Sequence, residues 1–231
     1  MENRPLGSAD CSLLVRRQDA RLESVADQIG NIYREAFPPS QRVDLATLIA
    51  SVKTGERRLF TAEAEAEVLG FAITVPLPDT GIHCLEYLAV KRGQRSRGTG
   101  SILLRIVLVD LAATENALGL ILEVESDHSG SEAERETRRA RIAFYHRNGA
   151  HLVDEVPCFI APDLVDGGML EMKLMWLPAG NGPSRLYGPR LLTCLRGIYI
   201  QSYGLPLDDP RIESTLRSVS CRACSPPGGR E

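Results

Sequence analysis

The sequence is poor in aromatic residues: one Trp, six Tyr and five Phe are scattered over 231 positions, too thinly to form a platform for stacking single-stranded bases. It also lacks an excess of positive charge, since 27 Lys and Arg face 30 Asp and Glu for a formal net charge of -3. Without a basic field, neither nucleic acid nor an anionic membrane surface is an expected partner. Long apolar runs are missing, and the opening Met-Glu-Asn-Arg-Pro reads as neither a signal peptide nor a membrane span. A cytoplasmic location is therefore expected. Of the cysteines at positions 11, 84, 158, 194, 221 and 224, only Cys221 and Cys224 have a paired spacing. Tetrahedral zinc requires four ligands, and no histidine or second pair accompanies these two, so they read as free tail thiols in a reducing compartment. His83, His128, His146 and His151 show neither metal-ligand nor nucleophile spacing, and no metal is expected.

What is present is a composition 43% hydrophobic and 25% charged, enough for one sizeable core. Ser12 to Arg17 reads as a strand. Leu22, Val25, Ile29, Ile32 and Ala36 then recur at helical spacing until Pro38-Pro39. A second helix fits Asp44 to Lys53, with Asp44 as N-cap and Gly55 past its end. Leu59 to Glu63 and Val68 to Val75 suit a hairpin closed by Pro76 and Pro78, and Ile82 to Val90 is the next strand. An apolar helix from Ser101 to about Ala113 leads to a buried strand, Leu120 to Glu125, the pattern of a right-handed parallel crossover.

Asp127 to Thr137 is polar enough for a loop, yet Ser131 and Glu134 make a capping box for a helix that runs to Asn148. His151 to Val156 and Met169 to Trp176 read as strands joined by a Pro and Gly loop. Residues 178–183 form the clearest linker. Beyond it Pro189 and Pro210 can each open a helix, giving an extension over residues 184–219, and the tail at 220–231 reads as disordered. The apolar stripe of the last helices must be covered by this domain or by a partner such as a second copy.

Arg95-Ser96-Arg97-Gly98-Thr99-Gly100 lies between a buried strand and the start of a buried helix, where unpaired amides and the helix dipole attract anions. It is no Walker A loop, because Thr99 and Gly100 occupy the Lys and Ser/Thr positions, and no dinucleotide fingerprint, because Leu103 stands at the third glycine. A tight turn without a ligand is the plain alternative. With the preceding Leu88-Ala89-Val90, the segment resembles the acyl-CoA signature of the GNAT superfamily of N-acetyltransferases. Ile142-Ala143-Phe144-Tyr145-His146-Arg147-Asn148-Gly149-Ala150 resembles that superfamily's Phe-Tyr-x-x-x-Gly-Phe block, with Ala150 replacing the final aromatic. The element order over residues 12–177 is also similar to the family's.

The resemblance implies an α/β fold with a mixed sheet, in this chain carrying a helical C-terminal extension. It further implies acetyl-CoA as co-substrate, with its pyrophosphate on the amides of Arg95, Ser96, Arg97, Gly98, Thr99, Gly100 and Ser101. The pantetheine arm then runs beside Leu88, Ala89 and Val90, where the strands holding Val90 and Val124 splay apart. The reaction implied is transfer of the acetyl group to a primary amine of a small molecule or protein. The motif makes Tyr145 the general acid that reprotonates the thiolate, and a backbone amide near Val90 is the candidate donor to the oxyanion.

A base is wanted because a lysine-like amine is protonated at neutral pH. Glu86 is the preferred candidate, lying in an apolar strand four residues before Val90 and hence on its face by strand periodicity. Its plain alternative is a strand-end glutamate in solvent or paired with an arginine. Glu123 and Glu125 flank Val124, project one way, and suit recognition of a cationic amine; either is also a possible base, and a solvated strand end is the alternative. Arg135, Arg138, Arg139, Arg141 and Arg147 read as a solvated helix face with Glu132, Glu134 and Glu136, some of them available to the coenzyme 3'-phosphate. Two rival functions remain: an acyl-CoA-binding module without chemistry, and a nucleotide-binding oxidoreductase penalised by the absent third glycine.

Overall fold

The structure, a computed structural model, describes residues 14–17 and 22–223. Its strands are β1 (Leu14–Arg17), β2 (Arg58–Ala64), β3 (Glu67–Leu77), β4 (Ile82–Val90), β5 (Gly119–Glu125), β6 (His151–Leu152), β7 (Phe159–Pro162) and β8 (Met169–Pro178). They form one mixed sheet in the order β1-β2-β3-β4-β5-β8-β6, with β7 also paired to β8. The helices are α1 (Leu22–Ala36), α2 (Leu45–Lys53), α3 (Thr99–Ala112), α4 (Glu132–Arg147), α5 (Gly188–Gln201) and α6 (Pro210–Ala223). The mixed α/β class is the expected one, and β4 and β5 are the parallel pair joined through α3.

Local chemistry explains most boundaries. The Asp44 carboxylate accepts from the Thr47 amide at the start of α2, and Ser131 with Glu134 completes the capping box of α4. That box overrides the polarity of the segment, so α4 begins at Glu132 within the stretch expected to be a loop. Pro76 does not close the hairpin but sits inside β3 opposite His83. The strand expected over His151 to Val156 shortens to two residues, and β7 emerges from the stretch read as a loop.

Helices cover both faces of the sheet. The α3 and α4 side packs Leu103, Leu104, Val107, Ile142 and Tyr145 on Phe60, Ala72, Leu85, Leu122 and Val124. On the opposite face α1 and α2 cover Phe71, Ile73, Tyr87 and Ala89. Helix α5 covers Val75, Leu77, Ile82, Cys84 and Ile121 with Leu191, Cys194, Leu195, Ile198 and Tyr199. The extension thus buries its apolar stripe on this chain, in one core with the sheet. The segment read as a linker is held too, since Trp176 Nε1 donates to the Pro183 carbonyl at 2.8 Å and the Ala179 amide to Leu118 at 2.9 Å. Helix α6 runs on to Ala223; Cys11 and Cys224, like the rest of the expected tail, lie outside the described residues.

One irregularity governs the centre of the sheet. Ile73 opposes Tyr87 while Thr74 opposes Leu85, so Glu86 is an extra residue in β4, a β-bulge. Past the bulge the alternation inverts. Cys84 and Tyr87 face the α1 and α5 side, whereas Leu85 and Leu88 face α3. Glu86 consequently does not share a face with Val90, whose side chain lies beside Gly100 of α3. It turns instead to Arg57, in the turn between α2 and β2, which grips both carboxylate oxygens at 2.6 and 2.9 Å and also donates to the Gln201 carbonyl of α5 at 3.2 Å.

This pair is nearly enclosed, with side-chain exposures of 11% for Arg57 and 5% for Glu86. Removing one partner of a buried pair strands the other charge, so Arg57→Met is expected to cost about 3 to 5 kcal/mol in denaturant unfolding. The double variant Arg57→Met/Glu86→Gln should recover much of that. A single variant within about 1 kcal/mol of the parent would mean the pair does not hold the bulge.

Candidate active site

The anion loop is built by backbone conformation. After a single turn at Arg92–Gln94, Ser96 adopts φ 62° and Gly98, the residue before α3, adopts φ 87°. A left-handed serine is a strained position of the kind that gathers at ligand sites. The first intrahelical bond is Ile102 N to Gly98 O, so the amides of Thr99, Gly100 and Ser101 have no helical carbonyl to reach. Arg95 is fixed by its Nε donating to the Val90 carbonyl at 3.1 Å. Gly100 is the tight point, since a Cβ there would lie 3.3 Å from Phe144 Cζ. Gly98 is required by its left-handed φ, not by crowding.

This loop opens onto a cavity of about 690 Å³. Strands β4 and β5 pair only from Ile82↔Gly119 to Leu85↔Leu122; beyond the bulge β4 keeps its pairing to β3, and β5 keeps its pairing to β8. The facing edges from Glu86 to Val90 and from Glu123 to Glu125 therefore lie open, with unpaired backbone groups along them. Gly100, Phe144 and Tyr145 line the cavity from the α3 and α4 side, and Tyr87, Glu123 and Tyr203 from the other. The cavity passes through the sheet at this gap.

The three carboxylates fare differently. Glu86 lines the cavity, but both its oxygens are bonded to Arg57, so an amine proton would have to displace the guanidinium. Burial raises its pKa and Arg57 draws it back. The preference for Glu86 as base is therefore withdrawn: the bulge turns it into the arginine-paired glutamate that was its plain alternative. Glu125 does not line this cavity and is held by Arg141 at 2.6 Å, Arg138 at 3.5 Å and the Gln41 amide at 3.2 Å. Those arginines leave the solvated face expected of them, while Arg135 and Arg139 bind Glu132 as expected.

Glu123 remains. It lines the cavity, meets no cation among the described residues, and accepts a hydrogen bond from the Tyr203 hydroxyl at 2.7 Å. Enclosure by protein raises its pKa to about 7, with the Tyr203 bond opposing and the neighbouring Glu86 charge adding to the rise. Burial and the Glu123 charge keep the Tyr203 phenol protonated, well above its usual range.

Tyr145 lines the same cavity from α4, its ring 5.1 Å from that of Phe144. Burial pushes its pKa up to about 12, so the phenol is a proton donor at neutral pH. Of the loop residues, Arg95, Ser96, Gly98, Thr99, Gly100 and Ser101 line the cavity with Leu88, Ala89 and Val90, whereas Arg97 points to the Gln94 side chain. Tyr203 and Gln41 were not foreseen. Tyr203 lies 80 positions from Glu123, in the turn after α5. The turn before α2 is held by Tyr33 donating to the Val43 carbonyl at 3.0 Å and Tyr87 to the Gln41 carbonyl at 3.2 Å, with the two rings edge-on.

Residues 55–149 match the family model described as an acetyltransferase (GNAT) domain. By sequence, no curated protein matches the chain. A GNAT-family protein of Bacteroides thetaiotaomicron superposes with a TM-score of 0.66 at 19% identity, covering 84% of this chain and 99% of its own. An aminoglycoside 6'-N-acetyltransferase complexed with coenzyme A gives 0.58 at 19% identity, over 74% of this chain and 99% of that one. The ribosomal-protein-S18-alanine N-acetyltransferase of Escherichia coli gives 0.52 at 20% identity, over 76% and 99%. Residues 55–149, which hold the strained loop before α3 and the open edge of β4, thus resemble an acetyltransferase (GNAT) domain, and the solved structures share the fold.

Proposed function

We propose that the protein transfers an acetyl group from acetyl-CoA to a primary amine, with Glu123 as base and Tyr145 as acid. The observation that carries this reading is one cavity lined both by the loop amides before α3 and by an enclosed carboxylate, Glu123, that meets no cation among the described residues. The residues fit acetyl-CoA: the amides of Thr99, Gly100 and Ser101 suit a pyrophosphate, and the open edge of β4 suits the amides of a pantetheine arm. Bound there, acetyl-CoA supplies an activated acyl group as a thioester.

The chain's own groups then divide the proton work. Glu123, with its pKa raised to about 7, is ionised in part at neutral pH and basic enough to take the proton lost by the attacking amine. Tyr145 gives its phenolic proton to the departing thiolate, and an unpaired amide of β4 beyond the bulge faces the acyl oxygen as charge develops on it. Tyr203 is a positioning residue, fixing the Glu123 carboxylate by its hydrogen bond.

Gly100→Val is expected to weaken acetyl-CoA binding at least about 10-fold by calorimetry while the protein remains folded, because a branched side chain enters the cradle and presses on Phe144. Unchanged affinity would reduce the loop to a turn. Tyr145→Phe should keep that affinity and lose roughly 100-fold in kcat. Loss below twofold would remove Tyr145 from the chemistry.

The base is tested by pH. Below about 7 Glu123 is protonated and cannot accept, so wild-type kcat/KM should rise through an inflection near 7. Glu123→Gln should abolish that inflection and leave a lower rate that climbs only with the free-amine fraction, towards pH 10. Parallel profiles would mean that another group, or water, takes the proton. Acetyl-CoA binding without thiol release for any amine would favour a binding module.

A further inference from the structure

The acceptor half of the cavity has its own chemistry, and resting on the reading above, it narrows the class of amine. On the α1 and α5 side of the sheet the lining joins the apolar Phe37, Leu164, Leu170 and Met172 to the polar Gln41, Tyr87, Ser202 and Tyr203, and among the described residues Glu86 and Glu123 are its acidic groups. Glu86 is spent on Arg57, so a single carboxylate is left to face a cation. The basic residues of the lining, Arg95, Arg141 and Arg147, come from the anion loop and α4, and they add positive charge to the far end of the same space.

The turn before α2 and the β7 to β8 turn meet where the Leu164 amide donates to the Ser40 carbonyl at 2.9 Å. Beside that bridge Leu164, Val165 and Met169 are exposed apolar residues, with exposures of 36%, 65% and 69%, and Asp163, whose carboxylate caps this turn, and Asp166 flank Leu164 and Val165 outside the cavity lining. An acceptor held in this half must share about 690 Å³ with a pantetheine arm.

We propose that the acceptor is a small monoamine, an alkyl or arylalkyl primary amine whose one charged group reaches Glu123 and whose uncharged body lies against Phe37, Leu164, Leu170 and Met172. A second ammonium held against this wall would be desolvated with no unpaired lining carboxylate to meet it, which penalises diamines, polyamines and aminoglycosides.

A matched pair of acceptors isolates the charge: hexylamine and 1,6-diaminohexane differ only at the far end. With acetyl-CoA at fixed pH and ionic strength, and release of free coenzyme thiol as the readout, kcat/KM for hexylamine and for phenethylamine should exceed that for 1,6-diaminohexane by on the order of 100-fold. Kanamycin should be poorer still. Leu164→Glu, at a rim position that tolerates a polar group, should narrow the gap by offering the second ammonium a partner. Diaminohexane or kanamycin turning over as well as hexylamine would overturn the monoamine class while leaving the acetyltransferase reading intact, as would equal turnover of a tetrapeptide through its α-amine. If acetyl-CoA binds by calorimetry and none of these amines releases thiol, the monoamine class falls; the acetyltransferase reading falls only if no amine of a broader set does. The wild-type comparison decides the matter whether or not the Leu164→Glu variant folds.

Discussion

The clamp of Arg57 on the bulged Glu86 is the contact on which the centre of this protein depends. A strand can pair on both edges only while its residues stay in phase with both neighbours. With Glu86 inserted, β4 keeps its pairing to β3 and loses step with β5 after Leu85↔Leu122. The sheet opens there, and the cavity runs through the opening. Arg57 makes the inserted residue tolerable by giving its carboxylate a bidentate partner, and its third bond, to Gln201, ties the same point to the end of α5. The extension is thereby part of the site: the turn after α5 delivers Tyr203 to Glu123.

The same arrangement separates two neighbouring glutamates by environment. Glu86 and Glu123 lie on adjacent strands close enough to repel, and the first has a guanidinium where the second has only a phenol. One is a structural ion pair; the other is driven up to about 7, the range in which a carboxylate both holds and releases a proton near neutrality. The proposed anion end rests on geometry instead, with Ser96 and Gly98 in left-handed conformations before the first amides of α3, which have no helical carbonyl to reach. The apolar side chains Phe37, Leu164, Leu170 and Met172 in the lining raise the worth of each charge inside it.

Much of this was legible in the chain because it is local. Asp44, Ser131 with Glu134, and the prolines at 189 and 210 mark helix starts that the structure keeps within a residue or two. The strand, glycine turn and apolar helix around Arg95 to Ser101 announced the cradle, because a backbone that must approach an anion needs glycine. What was hidden is set by distant partners. Strand alternation put Glu86 beside Val90, and the bulge that reverses it is visible only in the register against β3. Tyr203 follows an apolar helix with no sign of its use, since its partner arrives from a strand 80 positions earlier. β7 is a strand because the edge of β8 that faces away from β5 is left free beyond its two residues paired to β6, which no pattern in Phe159 to Pro162 reveals.

The most direct measurement is a crystal structure with acetyl-CoA bound. The pyrophosphate should lie on the amides of Thr99, Gly100 and Ser101, and the pantetheine arm should run along the β4 edge past Leu88 to Val90. The thioester should then stand in the gap between β4 and β5, with the Tyr145 hydroxyl on one side and the Glu123 carboxylate on the other. A coenzyme bound elsewhere, or a gap closed by continued pairing of β4 with β5 beyond Leu85, would contradict the bulge's role in opening the sheet for the thioester.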